Sequence, residues 1–189
     1  MGLDIVILGP PGAGKGTQAE LIAGDLGIPH VATGDMLRAA IANGSEFGKQ
    51  VRQLVQEGHL VSDELMIGLV RERLLADDTK DGFVLDGFPR TLAQAEGLDR
   101  MLEEIDRGDL SVVLNFELPE ELAEQRLLGR MRDDDTPEVI RTRLREQFVP
   151  EDLVEYYRAG GNLVGIHADR SVEDVFSEVQ DVLQTAGAK

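Results

Sequence analysis

Short apolar runs recur along the chain between longer amphipathic stretches. Ile5 to Leu8, Phe83 to Leu85, Val112 to Phe116 and Leu163 to Ile166 each read as a buried strand. His30-Val31-Ala32 is a weaker strand candidate and leads straight into Thr33-Gly34-Asp35-Met36-Leu37-Arg38. Helix-length segments fill the intervals and carry recognisable starts, such as Ser62-Asp63-Glu64 before Leu65 and Pro119-Glu120-Glu121 before Leu122. Strands alternating with helices predict an α/β fold of three layers, a parallel central sheet with helices on both faces. From Thr33 to Val61 the pattern is helical with no intervening strand, so a small helical insertion is expected beside the sheet. No internal repeat interrupts this order.

A length of 189 residues suits one domain with one sizeable core. Hydrophobic residues at 42% and charged residues at 29% lie within the globular range, and no low-complexity tract argues for disorder. The first residues lack a basic segment and reach Gly9 after four apolar residues, which disfavours a signal peptide or a membrane span. A cytoplasmic location is expected. With no cysteine, neither a disulfide framework nor a cysteine zinc site can form, and three scattered histidines disfavour a histidine metal cluster.

The formal net charge of -17 changes the picture more than the length does. Such a field repels nucleic acid and anionic membrane surfaces, so neither is expected as a partner. It also repels nucleotide phosphates, and a nucleotide enzyme with this balance must concentrate its cations locally. Only Lys15, Lys49, Lys80 and Lys189 are lysines. The acidic excess serves solubility, and together with the scarcity of lysine it also suits a high-salt setting.

Gly9-Pro10-Pro11-Gly12-Ala13-Gly14-Lys15-Gly16-Thr17 follows the first strand and opens a helix expected to run to about Leu26. Glycines let a backbone fold around an anion with its N–H groups inward, and the positive end of the following helix adds to the attraction. Lys15 supplies a full charge for the terminal phosphates. An ordinary strand-to-helix turn would need neither four glycines nor a lysine at the helix start. The common form of this loop has Ser or Thr directly after the lysine; here Gly16 intervenes before Thr17. A magnesium ion would then be held instead by Asp86, through water, at the carboxyl end of a neighbouring strand. The alternative role for Asp86 is a helix cap.

Gly9 to Gln18, Thr33 to Arg38 and Asp86-Gly87-Phe88-Pro89-Arg90-Thr91 together make the chain resemble the adenylate kinases, from Ile5 to about Arg145 and more weakly beyond. The resemblance implies a P-loop kinase domain spanning 1–189 and reversible transfer of the terminal phosphoryl of MgATP to AMP, giving two ADP. It divides the domain into a core (1–32, 62–129 and 138–189), an AMP-side insertion (33–61) and a short lid (130–137). It implies that ATP meets Gly12, Ala13, Gly14, Lys15, Gly16, Thr17, Arg126, Arg130 and the Ala168 backbone. AMP would meet Thr33, Gly34, Arg38, Leu60, Val61, Gly87, Phe88, Pro89, Arg90 and Gln94, with Arg132 and Arg143 clamping the phosphates being exchanged. Lys15, Arg90, Arg132 and Arg143 are the expected catalytic groups. Arginine suits such a site, because its planar fork bonds phosphate oxygens in pairs and keeps its charge when water is excluded. No general base is needed, since phosphoryl transfer of this kind rests on positioning and charge neutralisation.

Only Met131 separates Arg130 from Arg132, so the resemblance is to the short-lid form without a zinc site. The expected cofactor is Mg2+ with ATP, the partners are ATP, AMP and ADP, and the expected state is a monomer. Two features depart from the family pattern. Gln147-Phe148-Val149-Pro150 stands where relatives carry Thr-x-Pro-Leu, and Pro150 must kink or interrupt a helix. Ala168 replaces a common glycine. Two other readings stay open: a pyrimidine nucleoside-monophosphate kinase, against which Thr33 and Thr91 speak, and a nucleotide-binding regulatory module without turnover.

Overall fold

The computed structural model describes residues 2–130 and 135–187. Strand β1 (Leu3–Leu8) leads into helix α1 (Lys15–Leu26), and β2 (His30–Ala32) runs directly into α2 (Thr33–Ala42). Next come α3 (Glu46–Glu57), α4 (Asp63–Leu74), β3 (Gly82–Asp86), α5 (Leu92–Glu104) and β4 (Val112–Glu117). The chain continues through α6 (Glu120–Gly129), α7 (Pro137–Glu146), α8 (Glu151–Gly160), β5 (Leu163–His167) and α9 (Val172–Gly187). The strands pair in the order β2-β3-β1-β4-β5, and every pairing is parallel.

The three central strands β1, β3 and β4 alternate their side chains between two cores, as the pleat requires, whereas the edge strand β5 buries only Ile166 fully. Ile5 and Ile7 of β1 face one core with Val84, Leu114 and Phe116, roofed by α1, α6 and α9 through Ile22, Leu127 and Val179. Val6 and Leu8 face the other with Phe83, Leu85 and Val113, against α4, α5 and α8 through Val70, Leu98 and Leu153. Burial on both faces explains why the strands read as continuous apolar runs. The three-layer α/β expectation therefore holds.

Local signals set the ends of several helices. Ser45 and Thr91 cap α3 and α5 by accepting from the backbone of Gly48 and Gln94. Pro150 is the N-cap of α8, and helix α7 has already stopped at Glu146, so the proline separates two helices. Because β1 lies between β3 and β4 while α1 carries the chain toward β2, the order of connection reverses beside β1. That reversal opens a crevice at the carboxyl ends of β1 and β3, the usual ligand position in open parallel sheets.

At the opposite end of the sheet a buried ion pair ties β1 to the loop before β4. Arg107 donates from Nε to Asp4 Oδ2 (2.9 Å), from Nη2 to Asp4 Oδ1 (2.6 Å) and from Nη1 to the Thr79 carbonyl (2.5 Å), with its guanidinium 5.2 Å from the Phe83 ring centroid. Burial raises the Asp4 pKa, and Arg107 offsets this only in part. Removing one partner of such a pair strands the other charge. Arg107→Ala should lower unfolding free energy by about 3 kcal/mol in a denaturant titration; a loss near zero would show that the pair behaves as an exposed one.

Candidate active site

The crevice beyond β1 and β3 is a cleft of about 420 Å³, lined by the Gly9–Thr17 loop, the start of α2, the Leu60-Val61 connection, the segment after β3, and arginines from α6 and α7. The loop takes its shape from the sequence. Gly12 and Gly14 have φ of 86° and 81°, which side chains rarely adopt, and a Cβ on Gly12 would stand 2.8 Å from the Ala123 carbonyl. Helix α1 begins at Lys15, so its unpaired N–H groups and positive end face the loop. Lys15 folds back and donates from Nζ to the Gly9 and Pro10 carbonyls, each at 2.8 Å.

Asp86 ends β3 and sits between the two sides of the cleft. Burial works to raise its pKa, but the imidazole of His30 and the charges of Lys15 and Arg90 outweigh burial and hold it below the ordinary 3.8. His30 Nε2 stands 3.7 Å from Asp86 Oδ2 and, though buried, has no hydrogen-bond partner. A Cβ on Gly16 would lie 3.8 Å from the same Oδ2. The space where the common loop carries a hydroxyl is therefore bordered by this carboxylate.

The far side of the cleft starts from the Asp86 backbone, whose carbonyl accepts from the buried Thr33 hydroxyl (3.1 Å). Gly87 follows with φ of 84°, and a Cβ there would meet Thr33 Oγ1 at 2.5 Å, so only glycine lets this hydroxyl approach. Arg90 donates from Nε to the Gly87 carbonyl (2.8 Å) and from Nη1 to Gln147 Oε1 (2.6 Å). Burial lowers the Arg90 pKa, Asp86 raises it, and the nearby charge of Arg143 lowers it. Gln147 also donates to the Gly58 carbonyl (2.7 Å), linking Arg90 to the end of α3. Arg38 pairs with Asp35 one turn earlier on α2.

Three arginines close the cleft from above. Arg126 donates to the Ala168 carbonyl (2.8 Å). Arg130, just past α6, forms a two-pronged bond to Asp135 (2.8 and 2.9 Å), and Arg143 on α7 binds the same carboxylate. Asp135 is only 2% exposed in its side chain, so it gathers both arginines at the mouth.

Gly12, Gly14, Lys15, Gly16, Thr17, Thr33, Gly34, Arg38, Leu60, Val61, Asp86, Gly87, Pro89, Arg90, Gln94, Arg126, Arg130 and Arg143 all line this one cleft. Three expected residues do not. The Ala13 and Phe88 side chains are packed into the two cores, at 3% and 0% exposure. Any contact they make with a ligand must come through backbone. Ala168 is likewise buried, and its carbonyl is taken by Arg126. Arg132 lies outside the described residues. Sequence reasoning missed His30, Asp63 and Gln147, whose partners are far away in the chain; the Gln147 region was noticed only as a departure.

Among the described residues no cluster of three or more His, Asp or Glu side chains is placed to hold a metal, and no helix is long and apolar enough to cross a membrane. Because the folded pKa of Asp86 lies below its unfolded value, its ionised form stabilises the fold above about pH 4, and that contribution fades as pH falls through the lower folded value. In metal-free buffer the stability difference between the natural protein and Asp86→Asn should therefore narrow as pH falls below 4. Denaturant titrations from pH 2 to 5 check this, and a constant difference would contradict it.

The comparisons agree with the geometry. A family model described as Adenylate kinase matches residues 7–162. An adenylate kinase of Corynebacterium urealyticum is 47% identical over 174 residues, covering 90% of this chain and 93% of the relative. That of Cyanothece sp. is 44% identical over 191 residues, covering 98% and 97%. That of Archaeoglobus fulgidus is 39% identical over 214 residues, covering 96% and 98%. With a glycine-rich loop and several arginines lining one cleft, and with relatives aligned over nearly their whole length, this chain belongs to the adenylate kinase family and is a nucleoside-monophosphate kinase.

Proposed function

We propose that the cleft divides the work of the family's reaction, ATP and AMP to two ADP, at Asp86. The loop side takes ATP: the backbone of Gly12 to Thr17 surrounds its phosphates, Lys15 turns from the Gly9 and Pro10 carbonyls toward them, and Arg126 and Arg130 meet the nucleotide from above. The opposite side takes AMP. Thr33, Gly34 and Arg38 contact it from α2, Leu60 and Val61 line the base, and Gly87 to Arg90 with Gln94 complete the pocket. Arg90 and Arg143 clamp the phosphates between the two, with Arg132 assigned to the same task.

The observation that carries this reading is that cations enter the one cleft from two sides of Asp86, Lys15 from the loop on the Gly9 and Pro10 carbonyls and Arg90 from the segment after β3 on the Gly87 carbonyl and Gln147. A nucleotide switch needs a single phosphate pocket; here cationic groups converge from two. Mg2+ fits at Asp86, where an ionised carboxylate borders the space beside Gly16. The ion would neutralise phosphate charge while the arginines orient the chains.

Residues 33–61 act as the part that closes over AMP, and 130–137 as the short lid that keeps water from the transferred group. The Archaeoglobus alignment spans 214 positions against this chain's 189 residues, so that relative carries extra residues within the aligned region, whereas the Corynebacterium alignment of 174 positions does not exceed it. This accords with a short-lid form. Every group assigned here lies on one chain, so a monomer suffices, and adenine nucleotides as substrates suit the cytoplasm.

Arg90→Ala tests the assignment. Losing a preorganised cation costs about 3 kcal/mol of transition-state stabilisation, so turnover should fall at least about a hundredfold while far-ultraviolet circular dichroism stays unchanged. Near-normal turnover would overturn the role of Arg90.

A further inference from the structure

Gln94 is 2% exposed, yet it lines the cleft at the end where the base of AMP is assigned. Both ends of its amide are already engaged from behind. Its Oε1 accepts from the Arg90 backbone N–H (2.7 Å), and its Nε2 donates to Asp63 Oδ1 (2.8 Å). The same Asp63 oxygen accepts from the Thr91 hydroxyl (3.0 Å), and Thr91 Oγ1 in turn accepts from the Gln94 backbone N–H (3.2 Å). Asp63 begins α4 and does not line the cleft.

These partners fix the amide in one sense by their chemistry. A carboxylate can only accept and a backbone N–H can only donate, so a reversed amide would set oxygen against oxygen at Asp63 and N–H against N–H at Arg90. Each amide end keeps capacity for one more bond: the second N–H on Nε2 and the second lone pair on Oε1. A 6-aminopurine offers an amino donor beside a ring-nitrogen acceptor, which this orientation satisfies. A 6-oxopurine offers the reverse, a carbonyl acceptor beside an N–H donor. It would need the reversed amide.

We propose that Asp63 is a specificity-determining positioning residue: it locks the Gln94 amide so that the pocket takes 6-aminopurine monophosphates and rejects 6-oxopurine monophosphates. The inference rests on the reading that Gln94 meets the base of AMP. A site that must leave a buried polar group unpaired rejects the wrong ligand far more strongly than one that only lacks a contact. Rejection here comes from the frozen amide, with no clash required.

The test compares AMP with inosine monophosphate, which exchanges the amino group for a carbonyl and changes little else. Asp63→Asn keeps the shape of the side chain but can donate as well as accept, so it can pair with either sense of the Gln94 amide and Arg90 alone still imposes one. Its kcat/KM for AMP should stay within about fivefold, while the AMP-to-inosine-monophosphate ratio of kcat/KM should fall by about tenfold. The change should appear mainly in KM for inosine monophosphate, with the melting temperature little altered. Gln94→Leu is the control for the underlying reading and should raise KM for AMP at least about tenfold. If Gln94→Leu leaves KM for AMP unchanged, the base reading by Gln94 fails and the proposal with it. If Gln94→Leu raises KM but Asp63→Asn keeps the natural selectivity ratio, the lock alone is overturned. Equal losses for both nucleotides in Asp63→Asn would likewise reduce Asp63 to a structural role.

Discussion

The carboxylate of Asp86 is the constraint on which the rest of the site depends. It is placed by β3, the strand next to β1, at the carboxyl end of the sheet. Its burial would favour the neutral acid, and the His30 imidazole with the charges of Lys15 and Arg90 reverses this. One negative charge therefore lies within the fields of Lys15 on one side and Arg90 on the other, while its backbone carbonyl anchors Thr33 at the start of α2. Sheet, phosphate loop and helical insertion meet at this one residue.

The net charge of -17 makes the local arrangement of cations decisive. Much of the cleft's positive charge rests on internal acceptors: Lys15 on the Gly9 and Pro10 carbonyls, Arg126 on that of Ala168, and Arg90 on that of Gly87 and the Gln147 amide. These acceptors are neutral, and bonds from a cation to phosphate are stronger than bonds to a carbonyl. Phosphates can therefore compete with these acceptors for the same donors. Asp135 is different, since it holds Arg130 and Arg143 with a full charge and ties the mouth of the cleft to α7. Exchange there would couple phosphate binding to the contact between the end of α6 and α7.

The strands were legible because a parallel sheet buried on both faces must be written in short apolar runs, and even the weak His30-Val31-Ala32 signal forms an edge strand. The glycine loop was legible because its conformation admits few other residues. Motif position named Ala13 and Phe88 as site residues, but a motif does not tell which way a side chain turns, and both point into the cores. Nothing local marked Asp63, Gln147 and His30 as site residues. Their contacts to Gln94, Arg90 and Asp86 span 31, 57 and 56 positions, and only the sheet order and the path of α4 and α7 bring them together. Hydrophobic periodicity reports which face of an element is buried, whereas these polar contacts depend on how distant elements meet.

The central claim is that one cleft holds two nucleotides in line across Asp86. Titration calorimetry with two adenosines joined by five phosphates tests it most directly. One molecule should bind per chain, with both ATP and AMP excluded once it is in place. AMP binding that persists beside the bound analogue would contradict a single two-nucleotide cleft.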